Sequence, residues 1–155
     1  MDLRGSSQRN AEFSPDGRWF AYLSDEAKIG SEQVYVQPFP PTGAKYQISR
    51  EHSHAPMWSP DGRELFYDER DARNLVAVTV QTQPSFSFGV PVPLPLEGVL
   101  ETGNERQRQY DVSPDGKRFL VLLPATPGER ESRPIRQINI VLNWFEELKQ
   151  RVPTR

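Results

Sequence analysis

The sequence predicts an all-β fold assembled from three repeats of an antiparallel sheet. Three observations carry that prediction. The string Ser-Pro-Asp-Gly occurs three times, at 14–17, 59–62 and 113–116, with starts 45 and 54 residues apart. Its flanks repeat as well: Phe13, Trp58 and Val112 precede it, Arg18, Arg63 and Lys117 follow it, and an apolar run comes next in each copy. Finally, 15 of the 155 residues are proline, about twice the usual share of ~5%, and prolines scattered this densely disfavour long helices.

Each element follows from local chemistry. In the tetrapeptide, Pro sets φ near −65° at the second position of a tight turn, Asp can bond nearby amides, and Gly supplies the positive φ of the exit. The apolar residues on both sides make this a hairpin turn between two strands. The strands after the turns are Phe20-Ala21-Tyr22-Leu23, Leu65-Phe66-Tyr67 and Phe119-Leu120-Val121-Leu122. A third strand is read at Gln33–Gln37, Leu75–Val80 and Gln137–Leu142. A fourth is weaker at Lys45–Ile48. In the second copy it is Val90-Pro91-Val92-Pro93-Leu94-Pro95-Leu96, whose alternating prolines fit only an outer edge. No clear fourth strand follows in the third copy. There, Asn143 and Glu146 have the spacing of a capping box, and Trp144, Leu148 and Val152 share one helical face, so a short C-terminal helix is expected.

Four antiparallel strands in about 45 residues is the blade of a β-propeller. The post-turn runs are apolar at consecutive positions, as blades packed on both faces require. The expected organisation is a flexible N-terminus at 1–8, blades at 9–50, 54–98 and 108–142, and a helix at 143–152: an array of three four-stranded blades, or a partial propeller.

Composition narrows the chemistry. Leu, Ile, Val and Phe make up 37 of the 155 residues, above the roughly 20% below which chains stay disordered. There is no cysteine, which excludes disulfides, thiolate metal sites and cysteine nucleophiles. A net charge of −2 and a pI of about 5.7 argue against nucleic acid as a partner. No run of ~18 apolar residues is present, and the first nine residues lack the apolar core of a signal peptide, so neither membrane insertion nor an export signal is expected.

Candidate site residues are few. Asp16, Asp61 and Asp115 recur at one position of three turns, so Pro15, Asp16, Gly17, Pro60, Asp61, Gly62, Pro114, Asp115 and Gly116 are read as structural. His52 and His54 are the two histidines; they are read as solvated loop residues. A metal there would need a carboxylate such as Glu51 to complete the set, and no metal or cofactor is assigned. The inter-blade loops carry Arg50 to His54 and the pair Arg106 and Arg108, so the candidate partner-binding residues are Arg50, His52, His54, Arg106 and Arg108. No Gly-rich loop with its lysine and aspartates points to a kinase, and no Gly-x-Ser-x-Gly to a hydrolase elbow.

The residues also resemble a known family. Phe13-Ser14-Pro15-Asp16-Gly17-Arg18 and Pro56-Met57-Trp58-Ser59-Pro60-Asp61-Gly62 are similar to the WD-like propeller repeats of TolB and its relatives. Val34 to Pro40, Tyr110 to Leu120 and Val141 to Lys149 look like the C-terminal end of the propeller found in bacterial receptor-like serine/threonine kinases. The resemblance spans roughly residues 9 to 152. It implies a parent with about six or more blades, placed outside the cytoplasm, of which three blades are the last half. It also implies a non-catalytic interaction or sensing module with a protein or peptide partner. Two copies could complete a ring as a homodimer. The alternative is the propeller portion of a serine-peptidase-type hydrolase or a channel-site enzyme, since such propellers share the turn.

Overall fold

The computed structural model describes residues 6–69, 74–94, 108–122 and 138–142. Among these residues, twelve strands form three antiparallel sheets. The first contains β1 (Gln8–Phe13), β2 (Trp19–Ser24), β3 (Gln33–Pro38) and β4 (Tyr46–Gln47), in that order across the sheet. The second contains β5 (Ser53–Trp58), β6 (Glu64–Glu69) and β7 (Asn74–Gln81), with β8 (Ser87–Phe88) and β9 (Val92–Pro93) both paired to β7. The third contains β10 (Tyr110–Val112), β11 (Arg118–Leu122) and β12 (Ile138–Leu142). Among the described residues there is no helix; the helix expected at 143–152 lies outside them. Apart from β9, which returns to β7, each sheet is an up-and-down meander of strands adjacent in sequence, the pattern of a propeller blade.

The three Ser-Pro-Asp-Gly turns are built alike. The Gly17, Gly62 and Gly116 amides donate to the carbonyls of Ser14, Ser59 and Ser113 at 2.8, 2.9 and 2.8 Å. The glycines hold φ of 68°, 70° and 69°, left-handed values that a side chain would strain. Each serine hydroxyl donates to the turn aspartate and accepts from the amide five residues on, Trp19, Glu64 or Arg118. The aspartate in turn accepts from the amide after the glycine at 3.1 Å in all three copies. The serine hydroxyl bond is the main reason the Asp16 and Asp115 carboxyls sit below the ordinary range. Ser59 is buried with the Glu64 amide, whereas the bonds of Ser113 are exposed. Ser59→Ala therefore leaves a buried donor unmet, and a loss of about 1–3 kcal/mol is expected in urea unfolding. Ser113→Ala should lose clearly less.

The middle sheet is covered on both faces. Along β6 and β7, Leu65, Tyr67, Val76, Val78 and Val80 pack with Ala21, Leu23, Val34 and Val36 of the first sheet. Phe66, Leu75 and Ala77, at alternate positions, pack with Tyr110, Phe119 and Val121 of the third. A strand's side chains alternate between faces, so both sets must be apolar, and this explains the unbroken runs in the sequence. The fourth strand of this sheet is broken into β8 and β9, which pair with opposite ends of β7. Pro91 and Pro93 fall in this outer edge, where a missing amide donor is tolerated.

Two irregularities tie the sheets together. The ladders of β1 and β5 each shift register, between Arg9 and Glu12 and between His54 and Met57. Asn10 and Ala55, each four residues before the turn serine, take positive φ of 53° and 49°. These are β-bulges, which re-aim the strand. The Ala55 carbonyl accepts from the buried Tyr110 hydroxyl of the third sheet at 2.5 Å. Glu12 accepts from Trp58, through its carbonyl from the indole at 3.2 Å and through its carboxylate from the amide at 3.4 Å.

Candidate functional site

The seam between the first two sheets gathers the described titratable groups most tightly. The loop that leads into β3 brings Glu32 to the start of β5, where the Ser53 amide donates to the Glu32 carbonyl at 2.8 Å. His54 Nε2 lies 3.3 Å from Glu32 Oε2, and His54 Nδ1 lies 3.8 Å from Asp68 Oδ1 in β6. The His52 and His54 rings meet edge to face at 4.6 Å. Arg9 of β1 holds the same Glu32 oxygen through its guanidinium. Glu32, His52 and His54 offer ligand atoms that all lie within 4.8 Å of one another, so these three could hold a cation.

This corrects part of the sequence reading. His54 is a strand residue, 7% exposed, where a solvated loop position was expected. The strand begins at Ser53, and the bulge at Ala55 lets Pro56 sit inside it. The carboxylate beside the pair is Glu32, twenty residues before His52, and Glu51 is exposed. His52 is half-buried and Arg50 is exposed on the connection between the sheets. Arg106 lies outside the described residues. Arg108 pairs with Glu12 at 2.7 Å, linking the third sheet to the first, where a solvated loop cluster was expected.

A second candidate surface is the face of the first sheet that points away from the second. Tyr22 and Tyr35 stack at 5.9 Å, Gln37 donates to the Tyr22 hydroxyl, and Lys45 pairs with Glu26 while lying 5.5 Å from the Tyr35 ring centre. Burial pushes the Tyr22 phenol up to about 12, so it stays neutral. A hollow of about 370 Å³ opens here between Gln8, Arg9, Phe20, Tyr22, Gln37 and Lys45. Beside it Phe13 meets Phe20 and Phe39 edge-on at 6.3 and 5.1 Å. Phe13 is 54% and Phe39 51% exposed. On the third sheet, Leu120 is exposed and lines a hollow of about 270 Å³ with Val112, Pro114 and Arg118.

No family model and no curated protein matches the chain. Among solved structures it is similar to that of a putative TolB from Agrobacterium tumefaciens, with 17% identity and a TM-score of 0.49, over 74% of this chain and 38% of that one. It is also similar to TolB from Acinetobacter baumannii, with 16% identity and a TM-score of 0.36, over 89% of this chain and 44% of that one. The chain thus matches less than half the length of either.

Glu32, Arg9 and Glu12 were not singled out from the sequence. Glu32 sits at the foot of an alternating strand, at the loop end that a propeller reading assigns to the inter-blade connections; that shared end was the available signal.

Proposed function

We propose that this chain is a non-catalytic β-propeller interaction module whose working surface is the outward face of its first sheet. One contrast carries the reading. Strand β5 of the middle sheet is buried at all six positions, whereas its counterpart β1 is exposed at five of six. Phe13 at its end and Phe39 against it stand exposed. Blades gain stability from their neighbours, and an aromatic face of this kind is suited to another blade as partner. The resemblance of the three turns and their flanks supports a place as the C-terminal half of a larger bacterial TolB-like propeller, of the type joined to receptor-like serine/threonine kinases. In the isolated chain, a second copy takes the place of the missing half, with the first sheet of one copy meeting the third sheet of the other.

Light scattering on a size-exclusion column tests this. The wild type is expected at twice the chain mass of 17.8 kDa, and the double variant Phe13→Ser, Phe39→Ser at the single mass with an unchanged circular dichroism spectrum. A monomeric wild type would end the homodimer reading. A double variant that stays dimeric would place the contact elsewhere.

A further inference from the structure

We propose that Glu32, His52 and His54 form a zinc(II) site in the seam between the first and second sheets. The donor set is two imidazoles and one carboxylate, with all three ligand atoms within 4.8 Å. Tetrahedral zinc with bonds of about 2.0–2.1 Å holds its ligand atoms about 3.3–3.4 Å apart. His54 Nε2 and Glu32 Oε2 already stand at 3.3 Å. The half-buried His52 brings the third donor, within 4.8 Å of the other two.

The surroundings fit the same ion. Asp68 faces the far edge of the His54 ring, 3.8 Å from Nδ1. A carboxylate on that side can take up the Nδ1 proton once zinc claims Nε2, the place outer carboxylates hold behind zinc-bound histidines. The backbone bond from Ser53 to Glu32 holds the two contributing segments against each other. Two nitrogen donors disfavour calcium and magnesium, which take oxygen ligands. Three protein ligands leave the fourth position to water.

Arg9 is the competitor. Its guanidinium occupies the Glu32 oxygen at 2.5 Å, and its side chain is 43% exposed, so it can withdraw into solvent as zinc takes the carboxylate. This gives a signature that a merely structural ion-pair cluster lacks: removing Arg9 should strengthen metal binding.

Titration calorimetry of the full chain with zinc chloride is the test, with cobalt(II) absorption as a second readout of tetrahedral geometry. One zinc per chain is expected. His52→Ala, at a half-buried position that leaves the core intact, should weaken binding by more than about 100-fold, Asp68→Asn by about 10–100-fold, and Arg9→Ala should tighten it. Thermal unfolding should rise with zinc in the wild type and not in His52→Ala. No saturable one-to-one binding by the wild type, or equal binding by the wild type and His52→Ala, overturns the proposal. Should Glu32→Gln or His54→Ala fail to fold, the His52 and Arg9 variants still decide it.

Discussion

Phe66→Ala should cost about 3–5 kcal/mol in urea unfolding, the largest loss expected from any single side chain here. Phe66 is fully buried in the middle sheet and meets Phe119 of the third at 5.0 Å with the rings nearly perpendicular, at 84°. Truncation empties a space that neither sheet can fill, because both are pinned by their ladders. Domains of this kind hold a total stability of about 5–15 kcal/mol, so the variant should lie close to its unfolding threshold at ambient temperature. A double-mutant cycle with Phe119→Ala should return a coupling of about 0.5–1.5 kcal/mol. A loss below about 1 kcal/mol, with no coupling, would mean that the second and third sheets do not pack as described.

Glu64→Gln should stabilise the protein at about pH 8 by on the order of 3 kcal/mol and change little at about pH 4. Glu64 opens β6 directly after the second turn and is 5% exposed. Burial, with a smaller push from Asp61, raises its carboxyl from the ordinary 4.5 to about 7. Between those values the folded chain keeps a proton that the unfolded chain releases. The contribution of this group to stability is therefore full below about 4.5 and is lost as pH rises through about 7. Glutamine preserves shape and polarity without the charge, so the difference between wild type and variant isolates this group from Asp16 and Asp115, whose carboxyls lie below the ordinary range. Chemical unfolding of both proteins at intervals between about pH 4 and 8 checks it; parallel profiles would show that Glu64 is not the buried acid described.

The legible part of this molecule was its periodicity. The turn string names its own geometry, because Pro, Asp and Gly each meet a requirement of that hairpin that few other residues satisfy. The consecutive apolar residues at 65–67 and 75–78 announced a sheet covered on both faces, and the prolines at 91 and 93 announced an outer edge. The seam was harder to read. Asn10 and Ala55 adopt left-handed backbone without being glycine; asparagine tolerates it, but nothing in the side chain of Ala55 signals it. Yet the bulge at Ala55 places His54 inside a strand. Glu32 meets His54 only because two meanders lie face to face, a relation with no local signature. Glu12 likewise looked like an unremarkable strand residue, and it spans three sheets through Trp58 and Arg108.

The meander topology also shapes how this protein opens and closes. Nearly all ladder contacts within a sheet join strands that are neighbours in sequence, so each sheet can form without closing a long loop, and assembly is then the docking of preformed units. The middle unit alone has a neighbour on either side among the described residues. In native-state hydrogen exchange its amides, those of Leu65 to Tyr67 and Val76 to Val78, should be the last to exchange, with protection falling outward toward β1 on one side and β10 on the other. The array should therefore fray from its ends, and adding a partner at either end should slow exchange throughout the unit it touches.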